Sequence, residues 1–415
     1  MQIGIGVPHA RATDQIWNAN SLADFLWSTA GNWSGGVPLS ADNVLFGRPV
    51  PNPGSLPNPS IITLGAGSVA NALSFKDNYT LTGGDLTLTT GGVRTDLGMM
   101  ATIGSQLLGT AGLTKTGGGA LRLTNASNSY TGTTTINDGI VSISNAGALG
   151  ADTSAIVING SATRGFGGGA LLLEGGYSSG VTLSRGLTLQ GSGPAPATGA
   201  ALISVGNNTI TGPVTNGAAL VNTVVSSAGG RLTLGDVTLG GAAGTILMTF
   251  GTTNAVGAGS YAITGALASA GAGLGTVAKT GAGTLFLTPS SAAGYSGIFQ
   301  ISAGSMRVTD TAALGTSSAT NAIDLNGGLF ELRTDTPTFV SAKRINLNNG
   351  SGATDLLLDR GIGGTGLNQT VTFANFDYDA GETMVINTRN GYAASFTAAT
   401  AIGGGTGGHG ADQQR

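Results

Sequence analysis

Cysteine does not occur in this 415-residue sequence, and histidine occurs only twice, at His9 and His409. The first absence removes disulfide staples and thiolate metal sites together. The second leaves the body of the chain without the base of a Ser-His-Asp triad and without a multi-histidine metal site. Charge is scarce as well: 9% of residues are Asp, Glu, Lys or Arg, against about 25% in an ordinary soluble domain. The net charge of -3 comes with no clustered basic face, which argues against a nucleic-acid partner. No apolar run reaches the roughly 18 residues that a membrane-crossing helix needs. Catalytic, cofactor-binding and metal-ligating residues are therefore not expected.

Glycine and small polar residues fill the space that charge leaves. There are 74 glycines, and 40% of residues are hydrophobic, enough for a packed core rather than disorder. Short apolar alternations run through the chain: Leu86-Thr87-Leu88, Leu187-Thr188-Leu189, Leu232-Thr233-Leu234, Val237-Thr238-Leu239, Ile323-Asp324-Leu325 and Ile345-Asn346-Leu347. Each is an in-out-in triplet at period two, bounded by turn residues, which is the strand signature. Strands this short bury too little to stand alone and need neighbours stacked above and below. Pairs such as Gly83-Gly84, Asn159-Gly160, Asn326-Gly327 and Asn349-Gly350 mark corners that call for positive φ. The single short helix expected spans Ser21 to Trp27, with Ser21 as cap and Asp24 at its third position.

Internal repetition sharpens this picture. Gly112-Leu113-Thr114-Lys115-Thr116-Gly117-Gly118-Gly119-Ala120-Leu121-Arg122-Leu123 is echoed by Thr276-Val277-Ala278-Lys279-Thr280-Gly281-Ala282-Gly283-Thr284-Leu285-Phe286-Leu287. The copies stay in step with one single-residue slip. Tyr130-Thr131-Gly132 matches Tyr295-Ser296-Gly297, Ile136 and Gly139 match Ile301 and Gly304, and Ala148-Leu149-Gly150 matches Ala313-Leu314-Gly315. The unit resembles the autotransporter-associated β-strand repeat of bacterial passenger regions. In the first copy Asn128, Thr134, Ile136 and Gly139 complete that pattern; the second departs from it at Thr276, Val277 and Ala293. The resemblance implies an all-β fold, a right-handed parallel β-helix (β-solenoid), export, and a place outside the cell or at the bacterial outer-membrane surface. It implies no catalytic activity.

The expected organisation begins with a remnant of a signal peptide at 1–12, where Ala10-Arg11-Ala12 has the small-x-small form of a cleavage site. An amino-terminal capping segment follows at 13–60, with all three tryptophans (Trp17, Trp27, Trp33) and, between Pro49 and Pro59, five of the twelve prolines. It would shield the open edge of the first rung; an aromatic patch for carbohydrate is the alternative. A parallel β-solenoid fills 61–402, with clear repeats at 112–150 and 276–315, before a flexible tail at 403–415. Membrane anchoring is expected only through a barrel or anchor that this sequence lacks.

Four features bear on chemistry. Gly176-Tyr177-Ser178-Ser179-Gly180 fits a nucleophile elbow, but no internal histidine can serve it, and a turn is expected. Lys115 and Lys279 do not follow glycine as a phosphate loop requires; they read as turn lysines with heads in water and stems over the rung. The acidic patch of Asp355, Asp359, Asp377, Asp379 and Glu382 could hold an ion or sugar, with Asp377 and Asp379 on one strand face; solvated turn residues are the plainer reading. Thr87/Thr89 and Thr133/Thr135 raise an ice- or surface-binding array. The expectation is a secreted or surface-displayed structural or adhesive solenoid, not an enzyme. Its partners would be host or matrix glycans or proteins, or further copies of itself. A polysaccharide lyase or hydrolase is the runner-up.

Overall fold

The computed structural model describes residues 14–18, 24–47, 60–151, 155–160, 167–194, 199–217, 221–226, 230–240, 246–251, 259–270, 275–316, 322–335, 339–341, 343–347, 354–378 and 382–401. The signal-peptide remnant, both histidines, the prolines from Pro49 to Pro59, Ser21, Asn349-Gly350, Asp379 and the tail at 403–415 lie outside them. Two compact units are present. One consists of Met1–Ser161 with Gly165–Glu174 and Gly193–Ala197; the other of Ala162–Arg164, Gly175–Ser192 and Thr198–Arg415.

In the first unit the chain alternates between two parallel ladders. One stacks Asp14–Trp17, Asn43–Phe46, Ser68–Phe75, Asp85–Thr95, Leu113–Thr116, Thr134–Ile136 and Ile156–Asn159. The other stacks Ser60–Leu64, Tyr79–Gly83, Met100–Ile103, Ala120–Leu123, Asp138–Ile143 and Gly168–Glu174. In the second unit the rungs visit three ladders, as in the succession Gly275–Lys279, Thr284–Leu287, Ser291–Gly294 and then Ile298–Ile301, except that the rung begun by Ile298–Ile301 has the 3-10 turn Thr311–Leu314 in place of its third strand. From Phe339–Ser341 onward a separate three-stranded sheet takes the third face. The strand pairings are parallel; antiparallel contacts are isolated bridges such as Trp17 to Trp33. No α-helix occurs among the described residues. This is the architecture of a parallel β-solenoid in each unit.

Register explains why strands of three to five residues suffice. Leu121 lies between Ala101 and Val141, and Leu285 between Tyr261 and Met306; all six are buried. Each inward side chain thus extends a ladder, and the apolar area it removes from water contributes about 25 cal/mol per Å². The six in-out-in triplets all place their outer pair inside. At the expected corners Gly83 and Gly327 have positive φ, whereas Gly160 instead bridges Gly168.

Two expectations change at the amino end. No helix forms over the described part of Ser21 to Trp27, because the Asp24 carboxylate engages its neighbourhood in another way. It accepts from the Leu26 backbone N–H at 3.2 Å, the Thr29 hydroxyl at 3.0 Å and Asn32 Nδ2 at 3.1 Å, a turn that competes with helix. The tryptophans, moreover, are buried and not offered to sugar. Trp33 donates its indole N–H to the Trp27 carbonyl at 2.7 Å and stacks edge-on against Trp17 and Trp27 at 4.9 and 4.8 Å. Phe46 lies flat on Phe75 at 4.7 Å beneath them.

Candidate functional site: caged lysines of the repeat

Lys115 and Lys279 are not in water. Both are fully buried, which corrects the expectation of solvated heads. Lys115 occupies an inward register position between Val93 and Ile136; Lys279 occupies one between Phe250 and Ile301. Each stem fills the core, and each ammonium reaches the corner where its strand ends. Lys115 Nζ donates to the carbonyls of Thr116, Gly117 and Asp138 at 2.8, 2.5 and 3.1 Å. Lys279 Nζ donates to those of Thr280, Gly281 and Ala282 at 2.7, 2.7 and 3.1 Å. Three donors meet three acceptors, as a buried ammonium requires.

The remaining letters of the repeat build the cage. Gly139 and Gly304, one rung on, have φ of 72° and 65°. A Cβ there would lie 2.8 and 2.9 Å from the respective lysine Nζ and within 2.6 Å of turn carbonyl oxygens. Only glycine closes the cage. The next rung is then tied on through the lysine's own carbonyl, which accepts from Asn137 in one copy and Ser302 in the other, both at 2.9 Å. Burial pushes the Lys115 ammonium down to about 8, against an opposing pull from Asp138 and with a smaller push from Arg94. Burial alone brings Lys279 to about 8.

The second half of the repeat also has a structural task. Tyr130 and Tyr295 are buried; the Tyr295 hydroxyl lies 3.0 and 2.7 Å from the Gly275 and Ile298 carbonyls, between which its single proton is shared. Both copies then form a short 3-10 turn, Ala146–Leu149 and Thr311–Leu314. Asn128 accepts from the Leu107 N–H and donates to the Ala148 carbonyl, each at 2.7 Å, and so joins two neighbouring rungs. In the second copy Ala293, which stands in its place, is exposed. A third buried lysine, Lys343, lies outside the repeat signature. It donates to the Gly297 carbonyl at 2.9 Å and stands over the rings of Tyr295 and Phe299 at 5.5 and 5.4 Å; burial pushes it down to about 8.

The acidic patch does not converge. Asp359 belongs to the strand Thr354–Asp359 and Asp377 to Phe376–Tyr378, in different sheets. Both are buried, which corrects the reading as solvated turn residues. Asp359 accepts from Arg333 Nη1 at 3.4 Å and Asn390 Nδ2 at 2.6 Å. Asp377 accepts from Arg344 Nη1 at 3.0 Å and Asn375 Nδ2 at 2.5 Å. Asp355 and Glu382 are half-buried. Among the described residues no group of three or more His, Cys, Asp or Glu side chains is placed to hold a metal ion. Gly176 to Gly180 is a tight turn, closed by the Gly176 N–H on the Ser179 carbonyl at 3.0 Å. No helix among the described residues is long and apolar enough to cross a membrane.

The passenger-associated-transport-repeat family matches residues 113–143 and 277–308, the two stretches that contain the cages. The adhesin BmaC autotransporter of Brucella suis biovar 1 is 30% identical over 314 residues, 67% of this chain. The chain spans 9% of that protein's length. No solved structure matches. Two stretches of the chain match the passenger-associated-transport repeat and the chain is similar to part of an autotransporter adhesin; these findings support an autotransporter passenger-like repeat protein with a place outside the cell or at the outer-membrane surface.

Proposed function

We propose that this surface-displayed passenger is a structural and adhesive solenoid that performs no catalysis. The observation that carries the reading is the engagement of its chemically capable side chains by its own fold. Lys115 and Lys279 are saturated by turn carbonyls. Glu331, Asp359 and Asp377 are held by arginines. Thr is the commonest residue facing outward along the strands, suited to many weak contacts over a broad face. The name of the Brucella suis relative, an adhesin, supports the same reading. The segment at 13–60 is proposed as the amino-terminal cap, with Trp17, Trp27 and Trp33 packed over Phe46 to seal the ladder's first rungs.

The chain displayed on a non-adherent bacterium through a heterologous barrel should raise attachment to host cells or extracellular matrix. Attachment equal to the empty barrel at matched surface density would count against adhesion. Release of reducing or unsaturated ends from pectin or alginate by purified protein would favour the lyase or hydrolase reading.

A further inference from the structure

In the second unit, one ladder runs from Thr182–Leu183 to Met384–Thr388, and its outer face carries a row of charge that is unusual for so uncharged a chain. Phe286, Arg307 and Glu331 are in register on successive strands. Arg307 Nε donates to Glu331 at 2.6 Å, and Arg333 Nε donates to the same oxygen at 3.1 Å; Arg333 also reaches Asp359. Two strands to the other side, Arg231 brings its guanidinium carbon to 5.1 Å from the centre of the Phe286 ring, and Arg307 brings its own to 5.2 Å from the same ring. Arg231 is exposed and makes no ion pair among the described residues. The three guanidiniums of this face, Arg231, Arg307 and Arg333, are matched in number by Glu331, Asp355 and Asp359, but only Arg307 and Arg333 are engaged in ion pairs among the described residues.

We propose that Arg231 and Arg307, held by Phe286, form a binding fork for an oxyanion carried on an extended glycan, either a carboxylate or a sulfate. The ring supports each guanidinium by cation–π attraction. That support limits side-chain freedom in advance, so less is lost when the planar donors meet an oxyanion. Beside the fork, Thr284 and Ser305 join hydroxyls at 2.7 Å across their strands, giving neutral donors and acceptors of the kind sugar hydroxyls match. A nucleic acid would need a broad basic face, whereas two arginines suit one oxyanion at a time. The inference rests on the adhesive reading only in naming a contact: direct binding by purified protein can fail while cells still adhere.

The test is titration calorimetry of the full chain with polygalacturonate, heparin and neutral dextran oligosaccharides and with poly-glutamate. Polygalacturonate or heparin, or both, should bind with an affinity that falls as salt rises. Arg231→Gln should weaken binding at least 10-fold and Phe286→Leu about 5-fold, because the fork loses a prong or its support. Whether the carboxylated or the sulfated glycan binds tighter identifies the oxyanion. Binding of neither acidic glycan, equal binding of dextran or poly-glutamate, or an unchanged affinity in Arg231→Gln overturns the proposal.

Discussion

A lysine ammonium inside a β-solenoid stands between two opposed energies. Leaving water lowers its affinity for the proton, and burial brings Lys115, Lys279 and Lys343 down to about 8. Against this, each buried carbonyl left without a donor costs about 1–3 kcal/mol, and each repeat cage has three. Lys115→Met is therefore expected to lose about 2–4 kcal/mol, the carbonyl cost outweighing relief of the buried charge; urea unfolding followed by tryptophan fluorescence measures it. A variant as stable as the parent would mean the carbonyls find other donors. The pH dependence has a definite sign. The folded lysines release their protons near 8 and the unfolded ones near 10.5, so between these values the unfolded state holds more protons and stability rises with pH. The gain should be about 2–3 kcal/mol per lysine up to about pH 10, and smaller in Lys→Met variants. Above about pH 10 the trend reverses, since burial holds the Tyr79 phenol up at about 12. Flat stability from about pH 7 to 10 would contradict the caged protonation.

At the scale of strands and turns, ladder register was the most legible feature of the sequence. Period-two triplets placed Leu187 and Leu189, or Ile345 and Leu347, inside without any knowledge of the third dimension. The same periodicity carried a signal that residue type concealed: Leu113 and Lys115, like Val277 and Lys279, are two apart and so share the inward face. Expecting lysine in water overrode that pattern. The helix over Ser21 to Trp27 failed because Asp24 offers the backbone a turn instead. The reading of the acidic residues as solvated turns failed for Asp359 and Asp377, because each lies on a strand and is buried against an arginine, Arg333 and Arg344. Leu121→Asp and Leu285→Asp should prevent folding of their rungs, since an unpaired buried charge costs several kcal/mol; Leu121→Ala should cost about 2–5 kcal/mol. Circular dichroism melts of these variants decide whether the leucines are core. Asn128→Ala should cost about 1–3 kcal/mol by leaving the Leu107 N–H and the Ala148 carbonyl unpaired. By contrast Thr131 is exposed, and Thr131→Ala should change the same melt by less than about 0.5 kcal/mol.

For the whole molecule, the repeat signature supplies a stacking device in each of two units. Lys115 belongs to one and Lys279 to the other, while all three tryptophans lie in the first. Tryptophan fluorescence therefore follows one unit, whereas hydrogen exchange with mass spectrometry follows both, and it is the most direct test of the claim that the caged lysines lock the rungs. In the parent protein, peptides covering 113–143 and 277–308 are expected among the slowest to exchange. In the Lys115→Met/Lys279→Met double variant, protection in those peptides should fall by about 30-fold or more, corresponding to about 2 kcal/mol of opening free energy. Unchanged exchange in both peptides of a folded double variant would contradict it.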